Sequence, residues 1–324
     1  MPSLSDPLKI NGVTLRNRIV MPPMNTELAT EKGSVTARLI DHYVKHSRQL
    51  GLVIVEHSYV SQEGKLSKKQ LGIHDDRLVG GLKKLVEAIH ETGTPVLIQI
   101  NHAGRRCTAE ITGTQAVAPS RTKDARALKI TEIEALAETF AAAAKRAYKA
   151  GFDGVEIHGA HGFLLNQFYS PLTNKRKDDY GRTLNNRMRF PLEVVERVKE
   201  EVKGKLLFYR LGADDLDPEG TRISDSKKFA VKLEEAGVDA IDVSGGICGS
   251  RPEKLQGKQG YFIPQAQKIK AVVQVPVIGV GGITKATYAD SIVRHGKVDL
   301  VGVCRGLVKN PNWAAEAMGI LRKK

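Results

Sequence analysis

The sequence predicts an α/β fold: a single (β/α)8 barrel spanning residues 1–324, with an N-terminal β-hairpin plug and long βα loops at its C-terminal face. Three observations carry this expectation. Eight short apolar runs, rich in β-branched residues, recur along the chain. They are continuous rather than strictly alternating, the pattern of parallel strands buried on both faces. Helix-length amphipathic segments lie between them, and a glycine repeatedly separates such a segment from the next run. Strand and helix alternating eight times argue for a closed barrel; a doubly wound sheet usually carries fewer strands.

The elements follow in order. Leu8–Leu15 holds two short alternating stretches around Asn11-Gly12. Asn-Gly is the favoured type I′ hairpin turn, and this hairpin is expected to plug the N-terminal mouth of the barrel. The eight runs are Ile19–Met21, Leu52–Val55, Val96–Ile100, Val155–His158, Leu206–Arg210, Ala240–Val243, Val277–Val280 and Leu300–Val303. The clearest helix is Leu136–Ala150, rich in alanine and followed by Gly151, a fitting left-handed cap. The same punctuation recurs at Gly51, Gly93, Gly237 and Gly296. Long connections follow the third run (Asn101 to Ile130), the fourth (Gly159 to Leu184), the fifth (Gly212 to Ile223) and the sixth (Ser244 to Tyr261). All four belong to the face where barrel active sites are built.

Composition narrows the function classes. The 324 residues would ordinarily suggest about two domains, but the strand count merges them into one. No stretch approaches the ~18 uninterrupted apolar residues of a membrane span, so no membrane partner is expected. The N-terminus lacks the basic start and apolar run of a signal peptide. The three cysteines, Cys107, Cys248 and Cys304, form no CxxC pair and no disulfide framework. A cytoplasmic chain without a zinc ribbon follows. Fifty Lys and Arg against 36 Asp and Glu give a net charge of +14. The basic residues are dispersed rather than run together with aromatics, so an anionic small molecule is a better partner than nucleic acid.

Several polar residues sit where strands end. Gly281-Gly282 follows the seventh run, and Arg305 follows Cys304 after the eighth. Glycines let backbone N–H groups approach a phosphate, and an arginine adds a charge-assisted fork. The loops after strands seven and eight are the usual phosphate site of such barrels; the alternative is a pair of tight turns with a surface arginine. His158 and His161 lie at the end of the fourth run, suited to acid–base work, oxyanion binding or metal ligation. No equally good third ligand accompanies them, so no metal is expected. Gln99 offers a donor and an acceptor to a flat heterocycle. Arg210, in an apolar run, needs a bound anion or an internal partner such as Glu156 or Asp242. The first run stops at Pro22-Pro23-Met24-Asn25, because proline cannot donate to a ladder.

Together these stretches resemble the Old Yellow Enzyme family of flavin-dependent oxidoreductases. The matching segments are Asn17–Met24, Gln99–Arg105, His158–Leu165, Phe168–Pro171, Asn174–Gly181 and Asn186–Phe190, with Gly281, Gly282 and Arg305 in the right order. The resemblance runs from residue 8 to about 313. It implies a TIM barrel binding FMN, reduced by NADH or NADPH, which then passes a hydride to the β-carbon of an activated alkene. Position by position, Pro22, Pro23, Met24 and Asn25 would flank the flavin ring, with Asn25 also near substrate. His57 would contact the ring through its main chain, Gln99 would meet the pyrimidine edge, and Arg210 would sit by N1. Gly281, Gly282, Cys304 and Arg305 would hold the phosphate. His158 and His161 would be the catalytic pair, donating to the carbonyl or nitro oxygen of a small-molecule substrate. The resemblance also implies a homo-oligomer. With no cysteine after Cys304, it points to the short barrel-only form, without iron–sulfur cluster or FAD.

Two departures stand out. Phe163 occupies the place of the family's tyrosine proton donor. The proton must then come from Tyr59, Tyr169, Tyr261 or water, or the reaction needs none. Asn25 stands where relatives carry Thr or Cys, and Glu27 and His57 are unfamiliar in their places. Phe163 keeps a second expectation open: an FMN-dependent NAD(P)H oxidase, quinone or nitro reductase, or dehydrogenase without efficient alkene reduction. A flavin-free barrel binding a phosphorylated metabolite is a third.

Overall fold

The computed structural model of the chain describes residues 1–322. Eight parallel strands close into a barrel: β1 Ile19–Met21, β2 Leu52–Tyr59, β3 Val96–Asn101, β4 Gly154–Gly159, β5 Leu206–Gly212, β6 Ala240–Ser244, β7 Val277–Gly279 and β8 Leu300–Gly302. Each of the eight predicted runs is a strand of this barrel. The main helices are α1 Ala37–Ser47, α2 Val79–His90, α3 Ile130–Ala150, α4 Leu184–Glu201, α5 Ile223–Glu235, α6 Ile263–Lys270, α7 Ala286–Arg294 and α8 Trp313–Arg322. Among the described residues no helix is long and apolar enough to cross a membrane.

The period of two sorts each strand. Ile19, Val53, Val55, Ile98, Val155, Ile157, Leu207, Tyr209, Ile241 and Val301 pack outward in one cluster with the helices. Val20, Leu52, Ile54, Leu97, Leu206, Phe208, Ala240, Ile278 and Leu300 form a second cluster with Ile10 and Leu15 of the hairpin. The hairpin therefore caps the apolar lower half of the barrel interior, as its turn predicts. Its strands Leu8–Ile10 and Val13–Leu15 pair antiparallel, and Asn11 and Gly12 have φ of 39° and 86°, both positive as a type I′ turn requires. Farther along the same inward rows the residues become polar: Gln99, Glu156, His158, Arg210, Asp242 and Ser244. All are buried.

Helix α3 begins six residues before the expected start. The Glu132 carboxylate accepts from the Lys129 backbone N–H at 2.7 Å, which satisfies an otherwise unpaired donor at the helix entrance. Gly51 departs from the punctuation reading. Unlike Gly151, it has no positive φ; it is needed because a Cβ there would lie 2.1 Å from the Asn17 carbonyl oxygen.

Strand β2 is longer than the apolar run predicts and carries a register shift between Val55 and Ser58. Continued alternation from Leu52 and Ile54 would turn Glu56 inward. The irregularity instead leaves Glu56 to accept from the Thr26 N–H at 3.0 Å and brings His57 to the cavity wall. The connection after β2, residues 60–78, is a fifth long loop, which the sequence reading passes over.

Candidate active site

A cavity of about 580 Å³ opens at the C-terminal face of the barrel. It is lined by Pro23, Met24, Asn25, His57, Gln99, His158, His161, Arg210, Gly281, Gly282, Cys304 and Arg305, so nearly every predicted site residue converges there. Pro22 is the exception: it is buried behind the lining, 3.6 Å from where a Cβ on Gly302 would stand. Phe163, Arg106, Ser244 and Tyr261 also line the cavity.

The floor is a polar layer carried by β3 to β6. The Gln99 amide nitrogen donates to Glu156 Oε1 at 2.7 Å. Its own oxygen and second amide hydrogen remain available to a ligand. Arg210 Nη1 lies 3.4 Å from Asp242 Oδ2, so the internal ion pair anticipated as an alternative is present. Arg210 still faces the cavity, and its Nε is buried without a partner. Burial, then the charge of Asp242, raises Glu156 well above the usual carboxylate range. Burial raises Asp242 too, opposed by Arg210. Two carboxyls facing one guanidinium in a buried layer favour retention of a proton on Glu156.

One wall is aromatic. His158 and His161 are 5.1 Å apart between ring centroids, and Phe163 lies 4.7 Å from His158 and 5.4 Å from His57. All three histidines are held neutral. Burial, followed by His161, lowers His158 well below the ordinary imidazole value. Burial, followed by Arg210, does the same to His161. Burial, followed by Arg106, brings His57 down to about 4. A neutral imidazole has one donor nitrogen, chosen by what the other nitrogen binds. His158 Nδ1 accepts from the Ala160 N–H at 3.3 Å, leaving Nε2 as its donor. The Gln70 amide nitrogen is 2.8 Å from His57 Nδ1 and donates to the His57 carbonyl at 2.9 Å, so Nε2 is the donor there as well. His161 Nε2 pairs with Ser244 Oγ at 2.7 Å, and its φ of 58° is left-handed, unusual for a non-glycine residue.

Asn25 is exposed at the rim. Its amide nitrogen donates to Glu27 Oε1 at 2.6 Å and to Ser67 Oγ at 3.3 Å, so its donor capacity is partly taken. Burial would raise Glu27, but hydrogen bonds from Ser67, Asn25 and Lys69 outweigh it and lower the pKa. The two unfamiliar residues are thus both tied to the loop after β2: Glu27 through Ser67 and Lys69, His57 through Gln70.

The opposite end is built from glycines. Gly281 and Gly282 have φ of 121° and 69°. A Cβ on Gly281 would stand 2.8 Å from the Tyr261 nitrogen, and one on Gly282 would stand 3.1 Å from Arg305 Nη2. The amides of Gly281 and Gly282 donate to no other group among the described residues. Unpaired N–H groups beside an arginine make a cradle for an anion. The Cys304 thiol is raised by burial, so it lines this end as a neutral group.

Of the three candidate tyrosines, Tyr169 is buried with its hydroxyl 3.0 Å from Ser226 Oγ, and Tyr59 is buried away from the lining. Only Tyr261 reaches the cavity. It does so at the glycine end, where its hydroxyl donates to the Ser250 carbonyl at 2.9 Å. Among the described residues no group of three potential metal ligands is present. Ser244, Gln70 and Arg106 escape the sequence reading. Gln70 and Arg106 come from loops without periodicity. The inward position of Ser244, two residues after Asp242, was the one available signal.

Comparison with known proteins places this geometry in context. Residues 3–323 match the family described as NADH:flavin oxidoreductase / NADH oxidase. The chain is similar to an NADH oxidase of Thermoanaerobacter brockii, 44% identical over 98% of this chain but only 50% of that protein's length. It is also similar to an NADPH dehydrogenase of Geobacillus sp. (strain WCH70), 40% identical over 98% of this chain and 94% of that protein. A solved old yellow enzyme homologue from Zymomonas mobilis shares the fold at a TM-score of 0.86 with 28% identity, over 98% of this chain and 93% of that one.

Proposed function

The chain belongs to the NADH:flavin oxidoreductase / NADH oxidase family, and from that premise we propose that it is an FMN-dependent NAD(P)H oxidoreductase acting by ping-pong hydride transfer on activated alkenes. One observation carries the reading: a neutral histidine pair, a buried guanidinium and an unpaired glycine cradle line a single cavity. The residues suit the cofactor. Gly281, Gly282 and Arg305 would hold the phosphate, Gln99 the pyrimidine edge, and Arg210 the side of the ring that becomes negative. Pro23, Met24 and Asn25 would bound its edge, with Pro22 supporting them from behind.

When bound, FMN would supply the hydride chemistry that links NADH or NADPH to the β-carbon of the acceptor. The protein's part is electrostatic and positional. His158 donates from Nε2 to the acceptor's carbonyl or nitro oxygen. His161 Nε2 pairs with Ser244 Oγ; with the serine as donor, that ring's proton stands on Nδ1 for a second hydrogen bond. Donors already in place stabilise the negative charge that grows on that oxygen. Because both rings are neutral, neither gives up a full proton cheaply. Phe163 has none to give. The proton for the α-carbon is therefore taken from water at the open mouth.

Phe163 also favours a second reading, in which the acceptor is dioxygen, a quinone or a nitro compound and no α-carbon proton is needed. The test begins with colour: purified protein should be yellow or become so with added FMN. NADH or NADPH should then bleach it anaerobically. Reoxidation by cyclohexenone faster than in an enzyme-free flavin control supports alkene reduction. Reoxidation only by quinone or dioxygen supports the second reading. Colourless protein that takes up no FMN overturns both.

A further inference from the structure

The cavity has a cation that neither the ring nor the phosphate cradle uses. Four arginines line it, Arg106, Arg210, Arg251 and Arg305, and no Asp or Glu does. Arg210 is paired with Asp242 in the floor. Arg305 and Arg251 belong to the glycine end, where both act on Tyr261. Arg106 is at the other end, with the histidines.

Its placement is built rather than incidental. The guanidinium carbon sits 4.5 Å from the Phe163 ring centroid, so the planar fork lies on the phenyl face. Nη1 donates to the His161 carbonyl at 2.8 Å. These two contacts fix the plane and leave further N–H donors unused. Arg106 has no ion pair among the described residues, and no Asp or Glu acts on its charge. Arg106 is exposed at the cavity mouth, and a guanidinium held flat and without an ion pair there, beside the histidines, is placed to take a planar anion that enters the cavity.

Resting on the proposed function, we infer that Arg106 selects an acceptor carrying a carboxylate separate from the group that activates its alkene. The histidines take the activating oxygen and Arg106 takes the carboxylate. A carboxylate fits better than a phosphate because this end supplies one cation of one unit charge, whereas the glycine end supplies two arginines and unpaired amides. Phe163 then has a positive role as the platform of that arginine.

The test uses FMN-loaded full-length protein and two pairs of phenolic probes: 4-hydroxybenzoate with its amide, and 4-hydroxyphenylacetate with its amide. Binding is read from the perturbed flavin spectrum and by calorimetry. In at least one pair the carboxylate should bind about tenfold tighter than the amide, and added salt should erode the preference. Arg106→Met should abolish the preference while leaving amide affinity unchanged, and Arg106→Lys should keep part of it. Absence of any preference in the wild type, or its survival in Arg106→Met, overturns the inference. So does an Arg106→Met variant that loses affinity for NADPH but not the carboxylate preference; Arg106 would then hold the nicotinamide's phosphates. Protein that takes up no FMN defeats the proposed function instead, and calorimetry with the same probe pairs still decides the role of Arg106.

Discussion

Phe163 shows how much chemistry one atom can carry. The ring is buried, packed against His57 and His158 and covered by Arg106. In the proposed reaction a hydroxyl on this ring would lie beside the histidine pair, where a proton donor is needed. General acid catalysis typically contributes 10²- to 10⁴-fold where proton transfer limits the rate. Phe163→Tyr is therefore expected to speed anaerobic reoxidation of the reduced enzyme by cyclohexenone about 10²-fold, with the rate of reduction by NADPH unchanged. Stopped-flow measurement of the two half-reactions separates these effects. Equal reoxidation rates in both proteins would show that protonation is not limiting. The histidines make the complementary point. Their side chains are legible in the sequence, but the donor atoms of His158 and His57 are chosen by Ala160 and Gln70, and His161 pairs with Ser244, 83 residues away.

Single elements set the site's dimensions. The β2 irregularity exchanges an inward Glu56 for an inward His57, and no local pattern in Leu52–Tyr59 announces it. The turn after β7 is more legible, because Gly281-Gly282 is visible in the sequence and the conformation demands it. A Cβ on Gly281 would meet the backbone nitrogens of Tyr261 and Phe262 at 2.8 and 2.9 Å. Backbone cannot step aside as a flexible side chain does, and φ of 121° is itself hostile to an L side chain. Gly281→Ala is expected to weaken FMN binding at least about tenfold by shifting the loop after β6 against the cradle. The check is FMN affinity by fluorescence titration. Unaltered affinity would mean the cradle tolerates the displacement.

For the whole molecule, pH is the revealing variable. Burial keeps His42 and His57 near 4 and holds His158 and His161 well below the ordinary 6.5. Between those values the unfolded chain binds protons that the folded chain refuses. The stability these neutral histidines permit is complete above pH 6.5 and is lost as pH falls toward 4. For the buried His57 alone the loss approaches about 3 kcal/mol at pH 4. Glu56, raised by burial to about 7, acts in the opposite sense, as do the buried Glu156 and Asp242, which burial also raises: each contributes at low pH and loses that contribution as pH rises above the ordinary carboxylate value. The four histidines outnumber these three carboxyls, and the net charge of +14 adds repulsion on acidification. The thermal midpoint is expected to fall steadily from pH 7 to pH 4.5, as scanning calorimetry would show. A flat profile would mean that the histidines do not outweigh the buried carboxyls.

The sequence by itself determined the barrel, its hairpin plug and most of the residues that meet at its mouth. These depend on short-range regularities: apolar runs of strand length, a turn dipeptide, and polar residues where strands end. The tertiary structure alone decided what those residues do to one another. It set which β2 side chain faces inward, paired Arg210 with Asp242, assigned the tautomers of His57 and His158, and laid Arg106 over Phe163 from a loop 55 residues before the His161 carbonyl it binds. Register and loop return bring together groups that are far apart in the chain, and sequence periodicity reports only which face of its own element a residue occupies.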